Sequence, residues 1–198
     1  MSPRKQLNAA ERALLKLDDR SHQLVEEPAD GALQNTLQLF SKLGDQPQLR
    51  SIAGALIGVG VFSANDRLVR AGARMMIAHE AATLAKDQIK TQVDRTRPRS
   101  ATSRDEKKVR KGSHTAKEKT SFPSGHTAGA IAAARGISRE YPLAGAAALG
   151  AGGLIAVTQI VRQAHYPTDV LAGVAIGLLS EAAVDRAWSA ARLDEEGQ

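Results

Sequence analysis

The run Ser121-Phe122-Pro123-Ser124-Gly125-His126-Thr127 sets a backbone-fixing proline, a small-residue turn and a histidine where a helix is predicted to begin. A Ser-Gly turn ahead of a helix N-terminus offers free N–H groups to an anion. A histidine beside them can give or take a proton near neutral pH. Two further clusters could complete such a site. Lys90 and Arg97 lie seven residues apart, close to two helical turns, so the spacing predicts one shared face. There Arg offers a fork of donors to an oxyanion and Lys a point charge. Farther on, His165 precedes a proline-led helix start and Asp169 follows four residues later. A carboxylate one turn from a histidine can hold the ring N–H, fix the tautomer and leave the other nitrogen free to attack. Together the three clusters suit phosphoryl transfer without a metal: cations and amides for the phosphate, one histidine to attack, a second for the leaving group. Each cluster also has a plain reading alone: a helix-entry turn, a solvated basic face, and Asp169 or Thr168 as N-cap of the last helix.

The elements that must position these residues are helices. From Arg67 to about Asp94, Leu68, Ala71, Met75, Ala78, Ala82, Ala85, Ile89 and Val93 recur at spacings of three and four, one face of a long helix closed before Pro98. A short small-residue helix is expected from Thr127 to about Ser138. The longest apolar run, Pro142 to Val161, has proline at a helix start and is the best candidate to span a membrane. The next helix, over 170–188, carries Gly173 and Gly177 as a small-residue packing face. The run 51–64 is apolar but shorter than a comfortable span. Residues 1–50 read as a polar N-terminal arm, 51–190 as one helical domain interrupted by an exposed, mobile charged linker at 99–120, and 191–198 as a solvated tail.

Composition narrows the partners. The 198 residues suit one domain, and with aromatics at 3% the core must be built from closely packed small-residue helices, which favours an all-α fold. There is no cysteine, so disulfides and thiolate-bound metals are excluded. A net charge of +6 fits nucleic acid, anionic headgroups or a phosphorylated substrate. The basic stretch from Arg99 to Thr120 has no aromatic residue to stack on bases, which argues against nucleic acid. The first residues lack the apolar core of a cleaved signal. Mean hydropathy is only −0.27, low for a protein of many spans. His79 and Glu80 read as a polar seam between helices, His114 as solvated, and Glu181 as an interhelix contact.

Lys90 with Arg97-Pro98, then Pro123-Ser124-Gly125-His126, then His165 with Asp169 inside "HYPTDVLAG", resemble in order and interval the three motifs of the phosphatidic acid phosphatase type 2 and vanadium-dependent haloperoxidase superfamily. The resemblance covers about Ala71 to Ala183. It implies a helical bundle, membrane-associated, that hydrolyses a lipid or isoprenoid phosphate with no metal or other cofactor, at a bacterial-type inner (cell) membrane. Carried over, it implies His165 as the nucleophile forming a phosphohistidine, Asp169 as its orienting partner and His126 as the acid for the leaving oxygen. Lys90, Arg97, Ser124 and the Gly125 amide then hold the phosphate.

One position departs from the pattern. The third motif normally opens Ser-Arg, and here Thr158 and Gln159 stand there, so a phosphate-binding cation is missing. Arg162, one turn on, is the expected substitute. The departure leaves a second reading, a non-catalytic member that binds phosphate or anionic lipid. A third, within the fold, is a vanadate-dependent haloperoxidase. The family's motif loops usually face outward, whereas a short Lys/Arg-rich loop tends to stay cytoplasmic, so the two signals for orientation oppose each other.

Overall fold

The computed structural model describes residues 13, 16–20, 31–103 and 106–196, with side chains to 191. It is an all-α bundle. Its helices are α1 (Gly31–Lys42), α2 (Gln46–Phe62), α3 (Asp66–Lys90), α4 (Gly125–Ser138), α5 (Pro142–Val161) and α6 (Pro167–Glu196), with a short helical stretch over 16–20. Between α3 and α4, β1 (Val93–Asp94) pairs antiparallel with β2 (Arg110–Lys111). Prolines mark the starts of α2, α5 and α6, where a missing N–H costs nothing. Asn65 caps α3 by accepting from the Leu68 amide at 3.1 Å.

α4 is the central element, buried from Thr127 through Ala134 and packed among α3, α5 and α6. Its small side chains let the neighbours come close, and α6 does so through glycine. A Cβ on Gly173 would lie 2.6 Å from the Ser124 carbonyl oxygen, and one on Gly177 2.7 Å from that of Ala128. The expected packing face of the last helix is thus what seats it against the Ser-Gly-His turn. The core is alanine-rich, with Ala53, Ala71, Ala78, Ala82, Ala128, Ala132 and Ala133 almost completely buried.

Several expectations change. The long helix ends at Lys90, not Asp94, because the chain turns there into β1, and the Arg95 and Arg97 amides bond to the Lys119 and Glu118 carbonyls, both at 2.8 Å. Lys90 and Arg97 therefore share no helix face. They meet because the chain folds back. The same bonds tie the charged linker to the bundle rather than leaving it loose. A boundary at residue 50 falls inside α2, and α6 continues to Glu196, through most of the expected tail. Most of the first thirty residues of the expected polar arm lie outside the described residues.

Candidate active site

A cavity of about 390 Å³ opens where the N-terminus of α4, the C-terminal end of α3 and the α5–α6 connection meet. Lys90, Arg97, Gly125, His126 and His165 all line it, so five of the expected residues converge. Three do not reach it. Ser124 is fully buried, its hydroxyl spent on that of Thr127 at 2.9 Å rather than on capping α4, which leaves first-turn amides without a side-chain cap. Asp169 lies behind His165. Arg162 lines an adjoining cavity.

His165 is buried, and its Nδ1 lies 2.7 Å from the Ser121 carbonyl oxygen. A carbonyl can only accept, so Nδ1 carries the proton and Nε2 keeps its lone pair. Asp169 Oδ2 is 3.7 Å from the same nitrogen, beyond a hydrogen bond, which corrects the expected direct contact. The reason is that Asp169 is already engaged. At the third position of α6 it reaches back to the Tyr166 amide at 2.9 Å, accepts the Ser121 hydroxyl, and pairs with Arg95 at 2.5 Å. It thus orients His165 through Ser121, holding the residue whose carbonyl holds the ring.

Arg95 is the positioning residue that sequence reasoning missed. It is 3% exposed, bridges Asp169 and Asp18 at 2.5 Å each, donates to the Thr168 hydroxyl and the Lys107 carbonyl, and stacks over the Tyr166 ring at 3.9 Å from its centroid. A guanidinium this buried needs such complete pairing. Nothing in "KTQVDRTRP" distinguishes it from its neighbours.

Two cations of the cavity are held by main-chain carbonyls. Lys90 Nζ donates to Thr120 at 2.5 Å, and Arg97 donates to Lys117 and Ala164 at 2.8 and 3.1 Å. Lys86, one turn before Lys90, is a further lining cation that its spacing of four could have flagged. Gly125 makes room for it: a Cβ there would lie 3.0 Å from the Lys86 Cδ. Lys86 pairs with the exposed carboxylate of Asp87. Burial, reinforced by Arg97 and Lys86, pushes Lys90 down to about 8. Burial likewise pushes His165 down to about 4, with Arg97 and Lys90 adding and Asp169 opposing, so the ring is neutral at pH 7.

His126 Nε2 lies 2.6 Å from Asp45 Oδ1, at the head of α2. Asp45 was invisible to a reading that set the first fifty residues apart. Burial lowers the His126 pKa while Asp45 raises it. Gln159 is fully buried and donates to the Ser41 hydroxyl of α1 at 2.8 Å. It fills the place of the motif arginine with a neutral interhelix bond. Of the other singled-out residues, His79 is buried against Gly129 of α4 while Glu80 forms a two-pronged pair with Arg50. His114 is not simply solvated but pairs with Asp94. Glu181 makes its interhelix contact with Arg139.

Residues 71–192 match the sequence profile of the PAP2 superfamily. The chain belongs to that superfamily. No curated protein matches it significantly. Among solved structures, this PAP2 protein is similar to Aquifex aeolicus LpxE, at TM-score 0.60 and 22% identity over 81% of this chain and 90% of the other. It is equally similar to a transmembrane PAP2-type phosphatidylglycerolphosphate phosphatase from Bacillus subtilis, at TM-score 0.60 and 22% identity over 96% of this chain and 89% of that one. The PAP2 profile starts at Ala71, so Asp45 and Asp18 reach the site from outside the residues it matches.

Proposed function

We propose that this PAP2 protein hydrolyses a phosphorylated lipid or isoprenoid, without a metal, through a phosphohistidine on His165. The observation that carries the reading is a neutral His165, its Nδ1 donating to a carbonyl, lining one cavity with three cations and the uncapped start of a helix. Lys86, Lys90, Arg97 and the Gly125 amide bind the phosphoryl oxygens and stabilise the charge that develops on them. His165 Nε2 attacks phosphorus as the P–O bond to the leaving group breaks. The departing oxygen takes a proton from His126, whose imidazolium form is supported by Asp45. Neutral His126 then draws a proton from water, which attacks the phosphohistidine and releases inorganic phosphate.

A membrane setting, of the bacterial inner-membrane type, is favoured by α5 and α6. The stretches Pro142–Val161 and Pro167–Ala191 are long and apolar enough to cross, at 20 and 25 residues. Leu143, Leu154, Val157, Leu171 and Leu179 point outward from them. The apolar run 51–64 lies mostly in a helix of 17 residues, shorter than a comfortable span. The Bacillus subtilis protein is a phosphatase of a phosphorylated lipid, which favours the same class of substrate here. The test is phosphate release from phosphatidic acid, phosphatidylglycerol phosphate, undecaprenyl diphosphate and a soluble ester, in excess chelator. Turnover of a lipid substrate that vanadate inhibits supports the reading. Activity lost in chelator and restored by magnesium contradicts it.

A further inference from the structure

Beside the cavity that holds His165 lies a second one of about 230 Å³, and the two share Asp45, Arg97 and His126 along their common wall. Lys42 from the end of α1, Arg99 after the Arg97 turn, Lys117 from the charged loop and Arg162 at the end of α5 all line it. Arg99, Lys117 and Arg162 continue into a wider opening of about 530 Å³ toward Gln34 and Gln38. Four separate chain segments thus deliver cations to one place.

Among the described residues those charges are not matched by carboxylates. Among the described residues lining the second cavity Asp45 is the one carboxylate, and it is engaged with His126. None of Lys42, Arg99, Lys117 and Arg162 forms an ion pair with a described carboxylate. The cations feel one another: Arg162 is shifted down by burial and by Arg99, and Arg97 by burial, Arg99 and Arg162. Like charges gathered without counter-charge favour an anion between them.

Taking as its basis the phosphatase reading above, we propose that this second cavity is an anion site on the leaving-group side, for a substrate whose leaving group carries a phosphate of its own. The position of His126 fixes the side. It protonates the departing oxygen and it stands in the wall between the cavities, so a leaving group that passes it enters the second one. In a diphosphate ester, His165 Nε2 attacks the terminal phosphorus and the bond to the bridging oxygen breaks. That oxygen takes the His126 proton, and a monophosphate ester leaves among Arg99, Lys117 and Arg162. The lost motif arginine is thus answered by cations set one phosphate farther out.

The test compares a prenyl diphosphate with the prenyl monophosphate of the same chain, in one detergent, with the full-length protein. The readout is the ratio of their kcat/KM values in wild type, Arg99→Ala, Arg99→Glu and Lys117→Ala. Both residues contribute to the catalytic cavity at most through main-chain atoms, so the monophosphate rate also reports whether each variant is folded. The ratio is expected to fall roughly tenfold in Arg99→Ala and Lys117→Ala, as for loss of a charge-assisted hydrogen bond, and further in Arg99→Glu. An unchanged ratio, or an equal loss on both substrates, overturns the proposal. Arg99-dependent stimulation of monophosphate turnover by added inorganic phosphate would assign the site to a separate anion and overturn it as well. Phosphate release from neither substrate by folded wild type refutes the phosphatase reading itself, whereas release from both without a change in ratio refutes only the second site.

Discussion

The two ends of the bundle handle charge in opposite ways. At the end formed by the C-terminus of α4 and the start of α5, every buried cation meets carboxylates. Arg74 pairs with Glu140 at 3.3 Å and Asp185 at 2.8 Å, and Arg139 with Glu181 at 2.6 Å and Asp185 at 3.1 Å. Arg70 and Arg135 add to the same carboxylates, and Trp188 covers Arg74, with 4.6 Å from the guanidinium to the ring centroid. At the site end Arg95 is closed on Asp169 and Asp18, but the cations that face the cavities are not: Lys90 and Arg97 have carbonyls for partners, Arg99, Lys117 and Arg162 have no ion pair with a described carboxylate, and Asp45 is the described carboxylate that both cavities share. A charge network closed on itself fastens helices together. A set of cations left open is arranged for something that arrives.

The sharpest way to break that comparison is to open the closed end. Glu181→Ala removes a nearly fully buried carboxylate from Arg139 and Arg135, leaving Arg139 on Asp185 alone and Arg135 without a described carboxylate, and is expected to cost about 2–4 kcal/mol of stability, less than a fully buried pair because both arginines are partly exposed. Denaturant melts in detergent measure this, and phosphate release per folded molecule should be nearly unchanged. A stable but inactive Glu181→Ala protein would show that the far end takes part in the chemistry.

Next comes the open end. Lys86→Ala is expected to lower kcat/KM roughly 30- to 1,000-fold, the equivalent of about 2–4 kcal/mol of transition-state stabilisation, while leaving the melt unchanged or slightly improved because one repulsion is removed. Arg162→Ala should cost less on a monophosphate ester, since it lines the neighbouring cavity. The reverse order would return Arg162 to the role that its spacing from Gln159 suggested.

That reversal of roles marks where sequence reasoning stopped. The helices were legible because periodicity and proline positions are local: Pro142 and Val161 bound α5 as expected, and Ala71, Met75, Ala78 and Ala82 form the buried face of α3. Lys90, Arg97, Gly125, His126 and His165 were legible as motif residues, and they do line one cavity. What the pattern could not carry were contacts made across the chain. Asp45 reaches His126 from the head of α2, Asp18 reaches Arg95 from the N-terminal region, and the Ser121 carbonyl takes the bond that i, i+4 spacing assigned to Asp169. The charged linker misled for the same reason, since it is tied down by contacts across the chain, the main-chain bonds to Arg95 and Arg97 and the His114–Asp94 pair.

A smaller effect sharpens the electrostatics of the open end. Lys90, lowered to about 8, is charged below that pH and loses its charge as pH rises through it, so kcat/KM is expected to fall up to tenfold per unit above about pH 8. In kcat the limb should move to higher pH, because bound phosphate stabilises the ammonium. Lys90→Arg should remove the limb from kcat/KM. A profile flat to pH 10 in wild type would mean that Lys90 does not touch the substrate.

The central claim is that His165 carries the phosphoryl group, and rapid-quench labelling tests it most directly. Wild-type protein mixed with a lipid substrate bearing a labelled terminal phosphate, then quenched in alkali within milliseconds, is expected to hold label that survives base, is released by acid, and is absent in His165→Ala, whose turnover should fall by at least about 10³-fold. Turnover in His165→Ala close to wild type would contradict the account, as would wild-type turnover with no label on the protein at any quench time while hydrolysis of the intermediate is slowed.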